Sequence, residues 1–519
     1  MCAVLVIVFT AEGAAQKATR APLRPGDIDA IATLLMLEDA RKYDEAELRR
    51  ILKSPHPEVR RRAVQSIGRI ADKNGAVLLE SARQDAVVDV AATAAWAAGQ
   101  LRDPAAIPWL GAALSDKKTP AAVAREAAIA LGKIQSPEAR AALASYLASA
   151  PLNSDAAVVG EALLSIGRFA PGDDLAPITR WTSARDVEIR WRATWALFRP
   201  RDPAALKELL RLSTDRSAEV RFWAVRGLLP YPNLDPAPSA ARLREAVRDS
   251  DRRVRTEALR ALGMHDDEAS FKVVSEILDA DDSWLSVSAA ESLGRQTQRA
   301  DAAIARLASA AAPGRPLSVR LTARQSLTRL GDAGKAALNG LSTDGLPPAA
   351  SSGPRGPRPQ PQLRTLAEYR DIVERWIVPD YNGAAKPHAI LETPRGVVEL
   401  ELYPGDAPLG LEYFIRVVES GEIVGTDFPR VVPNFVVQQR AIRNDVVLRD
   451  EVSRRGLTRG NLSWASAGLD TGRPGYTLGI TPQPHNEGNF TALGRIVRGI
   501  EVVERLELGD KITAARMVR

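Results

Sequence analysis

The amino-acid sequence predicts a multidomain chain of the α-plus-β class, an all-α solenoid of helical hairpins followed by a β-rich domain, and three observations predict it. A short apolar pattern recurs from about residue 50 to residue 335, in steps of about 31 to 35 residues. From Gly345 the composition turns to Pro, Gly and Ser. Beyond Lys386 the hydrophobic period changes from that of a helix to the alternation of a strand. A chain of 519 residues is too long for one core, so its length accommodates both a repeat array and a separate domain.

The repeat decides the architecture. Its clearest copies read Val59-Arg60 with Ala63, Ile67 and Gly68; Val123 with Ala127, Leu131 and Gly132; and Val254-Arg255 with Ala258, Leu262 and Gly263. Weaker copies centre on Ala94 and Gly99, Glu161 to Gly167, Ile189 to Leu197, Val220 to Leu228, Ala290 to Gly294, and Val319 to Leu327. Within a copy the apolar residues fall at i, i+4 and i+8, one stripe of a helix, and the small alanines let a neighbouring helix approach. Pro and Asp mark the turns, as at Pro57, Pro104, Pro120, Pro203 and Pro236, in keeping with proline at a first helical position and an acid near the N-terminal dipole. The pattern resembles HEAT repeats, with the array spanning residues 25–344. The resemblance implies stacked hairpins whose concave face receives protein clients. In this setting the Val-Arg pair is a core residue followed by a helix-surface charge that ties adjacent repeats together. Trp96, Trp181, Trp191, Trp195, Trp223 and Trp284 are expected as packing residues.

Composition narrows the function classes. Lys and Arg number 70 against 64 Asp and Glu, a formal net charge of +6, which would permit an anionic partner. The arginines recur at one place in each repeat, beside acids such as Glu58, Glu188, Glu219 and Glu257, so most are expected on helix surfaces. No aromatic residues interleave with them at regular spacing, so nucleic acid is not an expected partner, although anion binding through the arginines remains a third reading of the array. The single cysteine, Cys2, excludes an internal disulfide framework, and His56, His265, His388 and His485 show no metal-ligand spacing, so neither metal nor cofactor is expected.

The apolar run Ala3 to Phe9 is too short to span a bilayer, and no integral membrane span is expected. It suits the apolar centre of a secretory signal within residues 1–24, with Ala14 and Ala15 ahead of a cleavage point, which points to a periplasmic or secreted protein. No Lys or Arg precedes the run, and a cytoplasmic protein with an apolar start is the alternative.

Residues 345–364 read as a linker, because prolines such as Pro347-Pro348 and the run Pro354 to Pro361 favour an extended, semi-stiff spacer. A connecting helix, about Leu366 to Ile377, lies within residues 365–385, and the last domain occupies 386–519. There Val398, Leu400 and Leu402 alternate with Glu399 and Glu401, a half-buried strand, while Ala389 to Gly396 reads as a strand and hairpin turn. Gly410 to Ser420 returns to helical spacing through Leu411, Phe414, Ile415 and Val418.

The block Gly425-Thr426-Asp427-Phe428-Pro429-Arg430-Val431-Val432-Pro433-Asn434-Phe435-Val436-Val437-Gln438 resembles the signature of the cyclophilins. Asp450-Glu451, Gly460 to Ala465, Leu493 to Val497 and Gly499 to Val503 follow in the family's order, so the resemblance covers about Ala389 to Ile512. It implies a closed eight-stranded β-barrel capped by two helices, Gly410 to Ser420 and Val502 to Leu506. It also implies peptidyl-prolyl cis-trans isomerase activity on proline-containing peptides or proteins. Rotation about an X-Pro bond meets a barrier of roughly 18–20 kcal/mol from amide resonance, and binding the twisted amide more tightly than the planar one lowers it without a nucleophile or metal. By this resemblance Arg430 reaches the prolyl amide, Phe435 walls the proline pocket and Gln438 orients the substrate backbone. Val436, Ala465, Ser466, Ala467, Thr477, Asn486 and Phe490 would line the substrate site.

The second half of the site departs from the family. Where a Gly-Ser-Gln-Phe-Phe-Ile-Thr strand is usual, the chain reads Gly475-Tyr476-Thr477-Leu478-Gly479-Ile480-Thr481; aligned this way, Thr477 replaces a glutamine and Gly479 the phenylalanine of the pocket floor, and in an ungapped alignment, shifted by two residues, the glutamine and the aromatic are absent as well. His485 and Asn486 fall where Trp or His and Leu are usual, and Phe490 where His or Tyr is usual. The expected outcome is a weakened proline pocket unless Tyr476 or Phe490 fills the gap. A non-catalytic peptide-docking or structural module is therefore the alternative to a working isomerase.

Overall fold

The computed structural model describes residues 20–172, 174–347, 363–443 and 446–518. The apolar start of the chain and most of the proposed linker lie outside them. Ten helices stack side by side as an inner row: α1 (Pro25–Ala40), α2 (Pro57–Ile70), α3 (Val88–Leu101), α4 (Ala121–Ile134), α5 (Ala156–Ile166), α6 (Val187–Phe198), α7 (Ala218–Val225), α8 (Arg252–Leu262), α9 (Ser283–Leu293) and α10 (Leu317–Arg329). Shorter helices between them form the outer row, and one continuous apolar core runs from Ile31 to Leu327. No described helix is long and apolar enough to cross a membrane.

Local chemistry sets each repeat. Asp155, Asp186, Asp251 and Asp282 cap α5, α6, α8 and α9 by accepting from backbone amides of the first turn. Pro57 occupies the first position of α2, whereas Pro120 and Pro236 stand one residue ahead of their helices. The Val-Arg arginine ties repeats together: Arg60 donates back to Ser54 O of its own turn (2.9 Å) and pairs with Asp85 of the next (2.7 Å). Arg190–Asp215 (3.2 Å) and Arg221–Asp249 (2.7 Å) repeat the device. The repeat glycine is needed for close helix approach, since a Cβ on Gly99 would stand 2.7 Å from Ala130 Cα, and one on Gly263 2.7 Å from Ser292 Cα.

The connecting helix extends to Tyr381, beyond the expected end at Ile377, and contains a π turn over Val373–Ile377. Pro379 supplies the reason: its ring crowds the carbonyl four residues back and it has no N–H, so the Val378 amide reaches Val373 O instead. This helix packs on α1, with the Tyr369 hydroxyl donating to Asp39 at 2.7 Å.

The C-terminal domain is an eight-stranded antiparallel sheet of β1 (His388–Thr393), β2 (Gly396–Leu402), β3 (Arg430–Val432), β4 (Val436–Gln438), β5 (Asn461–Ala465), β6 (Arg473–Gly479), β7 (Ala492–Arg498) and β8 (Ala514–Val518). Their order is β3-β4-β6-β5-β7-β2-β1-β8. The sheet curls so that the segments leading into its outer strands meet at an Asp427–Lys511 bridge, with Gly425 N donating to Ile512 O at 2.8 Å. Helix α11 (Pro408–Glu419) packs on the sheet, and a single turn at Ile500–Val503 stands near the second expected helix. Phe414, Tyr476, Leu462, Leu478 and Val437 fill the core.

Two expectations about the array change here. Its inner face, expected to receive protein clients, is contacted along much of its length by the chain's own C-terminal domain, which leaves cavities of about 560 and 720 Å³ against Trp96 and Arg125. Arginines expected as solvated helix decoration are buried in that contact. Arg69 is 1% exposed; it pairs with Glu38 at 2.8 Å and donates to Val452 O at 2.9 Å, Glu451 O at 3.3 Å and Asp406 O. Arg62 donates to Gly405 O, and Arg41 bonds Asp450 O and the carboxylate of Asp470. Trp284 is buried as expected, but in the core of the C-terminal domain, with the Arg252 guanidinium 4.1 Å from its ring centroid.

Arg69→Ala strands the Glu38 carboxylate and three carbonyls in a dry contact, a loss of about 3–5 kcal/mol. Calorimetry is expected to show the C-terminal domain melting separately from the array, and trypsin to cut within residues 345–364 faster than in the wild type.

Candidate functional site

The site begins with the register of three strands. Arg430 of β3 stands opposite Gln438 of β4, and Gln438 opposite Thr477 of β6, which pairs with Ser463 of β5. Side chains alternate along a strand, so with Val437 in the core, Val436 and Gln438 share the outer face with Arg430. Three strand spacings carry this row about 14 Å from β3 to β5. A tight turn joins β3 to β4, with Asn434 in the left-handed region at φ 58°.

The predicted catalytic residues come together. Arg430 donates to Gln438 Oε1 at 3.3 Å, and its guanidinium lies 5.6 Å from the Phe435 ring centroid, within cation–π range. Phe435 stacks on His485, with centroids 6.1 Å apart and planes at 24°. Phe435 O accepts from Ile480 N at 2.9 Å, and Thr481 donates to Asn434 O at 2.8 Å, which pins the turn against the end of β6. Partial burial lowers the Arg430 pKa.

Residues 388–519 match the family described as cyclophilin type peptidyl-prolyl cis-trans isomerase/CLD, and residues 75–163 and 211–294 match HEAT repeats. A peptidyl-prolyl cis-trans isomerase of Synechococcus elongatus is 30% identical over 138 residues, 25% of this chain and 95% of the relative. Peptidyl-prolyl cis-trans isomerase B of Bacillus subtilis is 31% identical over 128 residues, 23% of this chain and 90% of the relative. The chain belongs to the cyclophilin-type peptidyl-prolyl cis-trans isomerase family. It carries the cyclophilin domain behind an array of HEAT repeats.

The other predicted cyclophilin site residues are more dispersed. Val436 is buried in β4 opposite Gly479, and Thr477 lies in the row beside Gln438. Ala465 ends β5 past a register shift; Ser466 and Ala467 follow in its loop, where Ala467 N donates to Thr471. Asn486 donates to Gln483 at 2.9 Å, on the short turn that carries His485. Phe490 is half-buried against Tyr403, Leu457 and Ala492, a separate cluster.

The space at Gly479 has an occupant that sequence reasoning missed. Tyr476 points into the core, edge-on to Phe414 at 5.8 Å, so it does not fill the floor. Asn461, directly opposite Gly479 in register, does: a Cβ on Gly479 would stand 2.0 Å from Asn461 Oδ1 and 3.1 Å from Gln483 Nε2. Where the family resemblance led one to expect an aromatic floor, two amides stand. Only the strand pairing reveals it, since Asn461 follows from extending the Leu462–Leu478 pair by one residue.

The array reaches the same cleft. Asn434 Nδ2 donates to Arg253 O and to Glu257 Oε1, each at 2.9 Å, and Arg260 donates to Pro433 O at 2.8 Å. Arg168 donates to Pro484 O at 2.6 Å and Lys133 to Gly488 O at 3.0 Å. Both loops that carry the Phe435–His485 stack are thus held by inner helices. Loss of water around the stacked ring, which keeps an exposed edge, followed by the charges of Arg199, Arg226 and Arg168, pushes the His485 imidazole down to about 4.

The sign of that shift sets a pH dependence. The folded protein keeps His485 neutral to about pH 4, whereas an unfolded chain protonates it near 6.5. The shift therefore costs nothing above pH 6.5 and lowers the stability of the fold as pH falls from 6.5 toward 4. An NMR titration is expected to place the ring's midpoint near 4, and His485→Gln to flatten the stability loss across that window.

Proposed function

We propose that this chain catalyses cis-trans isomerisation of X-Pro bonds in protein or peptide segments bound across Arg430, Phe435 and Gln438. The observation that supports this reading is the convergence of a guanidinium, a phenyl ring and an amide on one face of β3 and β4. Phe435 supplies an apolar wall for the pyrrolidine ring, and Gln438 holds the substrate backbone. As the prolyl amide twists out of plane, its nitrogen regains a localised lone pair that the planar form lacks. A guanidinium N–H that donates to that nitrogen strengthens only in the transition state, which lowers the barrier. Arg430 suits this role because its charge persists at every working pH and its planar fork is rigid.

A second reading, a binding module that retains the fold, is favoured by the amides of Asn461 and Gln483 where an apolar floor would hold proline.

One set of variants tests both. Arg430→Ala in the full chain is expected to lower kcat/KM for a proline-containing peptide by on the order of 10²–10³-fold with little change in Tm. Wild-type turnover no faster than the uncatalysed rate would establish the binding module instead. Gly479→Phe alone is expected to destabilise the domain through collision with Asn461, whereas Gly479→Phe with Asn461→Ala restores an aromatic floor and lowers KM about tenfold.

A further inference from the structure

The cleft is bounded on its His485 side by residues of the array rather than of the cyclophilin domain. Glu257 of α8 takes a hydrogen bond from Asn434, the neighbour of Phe435, and its other oxygen faces Arg226 at 3.6 Å. The Arg226 guanidinium lies 5.4 Å from the Phe198 ring centroid, and Arg199 follows Phe198 at the end of α6. On the opposite loop Arg168 grips Pro484, next to His485. Arg199, Arg226 and Arg168 thus all lie close enough for their charges to act on His485.

Their charges are not balanced locally. Arg168, Arg199, Arg226, Arg260 and Arg430 are five cations around the cleft. Glu257, shared by Arg226 and Arg260, Glu291 on Arg260, and Glu487 and Glu161 near Arg168 are four carboxylates. Burial and the neighbouring Glu161 also push Glu487 up, which diminishes its negative charge. Arg199 is exposed and makes no ion pair among the described residues, so its guanidinium is available to a bound segment.

We propose that the HEAT array forms one wall of the isomerase's substrate groove, in which Arg199, backed by Arg226, selects segments that carry an acidic residue beside the proline. This rests on the assignment of the cleft as the isomerase site. An acidic side chain arriving at this wall meets a cation that no carboxylate of the protein has neutralised. The surrounding Arg168 and Arg226 add to the field, which partial desolvation at the cleft strengthens. The array thus acts in client choice at the site itself, and the selected feature is charge next to proline.

The test uses the full chain and two labelled proline peptides, one with Glu on each side of the X-Pro pair and one with Gln in those places. Both turnover and binding by fluorescence anisotropy are measured. The Glu peptide is expected to bind and turn over about threefold to tenfold better at low salt, the scale of one partly screened ion pair, and to lose the advantage at about 0.5 M salt. Arg199→Lys keeps the preference, and Arg199→Glu reverses it. Turnover of both peptides with equal kcat/KM and no salt dependence overturns the groove assignment while the isomerase stands. Charge-dependent binding that requires Arg199 without any turnover upholds the groove and overturns catalysis. Failure of both peptides to bind or turn over overturns both.

Discussion

Buried backbone carbonyls need donors, and in this protein the donors for one domain are side chains of the other. The loops Gly405–Asp406, Asp450–Val452, Pro433, Pro484 and Gly488 leave the sheet without strand partners. Their carbonyls are met by Arg62, Arg69, Arg41, Arg260, Arg168 and Lys133 of the array. Arginine suits the task because one planar head satisfies several acceptors at fixed angles, as Arg69 does with four. Two of these loops carry Phe435 and His485, so the shape of the cleft depends on contacts made outside the cyclophilin domain.

The cleft itself shows how a strand pair absorbs a change of chemistry without losing its packing. Gly479 removes a large side chain, and Asn461 on the facing strand brings in a polar one that occupies the vacated place. Polarity is reversed at this place, and the nearby Gln483 amide continues the change. The half of the site built by β3 and β4 keeps an aromatic wall and a guanidinium. In the proposed site, the face that would meet the prolyl amide keeps its expected chemistry and the floor that would meet the pyrrolidine ring does not.

Much of this was legible from residues. The spacing Val59, Ala63, Ile67, Gly68 reports which helix face is buried, because a periodic apolar stripe is a local consequence of packing against the next repeat. The alternation Val398, Leu400, Leu402 does the same for β2. Arg62 and Arg69 show where such reasoning stops. A charged residue beside Glu58 on the polar side of an amphipathic helix looks the same whether water or another domain covers it, and no periodicity distinguishes the two. The proposed site residues Arg430, Phe435 and Gln438, which the fold brings together, lie in one contiguous block. Asn461 was not legible, because its role depends on strand register, and the array's arginines were not, because they lie more than 150 residues away in sequence, at Arg260 and beyond.

Repeat arrays are springs when each unit touches only its neighbours, since small rotations between repeats add up along the stack. This one carries a strut. Rigid attachments run from Arg41, just past α1, to Trp284 in α9, so the sheet bridges nearly the whole row of inner helices as a bowstring bridges a bow. Any change of curvature would have to shear those arginine–carbonyl bonds together, and a tensile load on the array's two ends would pass through the same loops that carry Phe435 and His485.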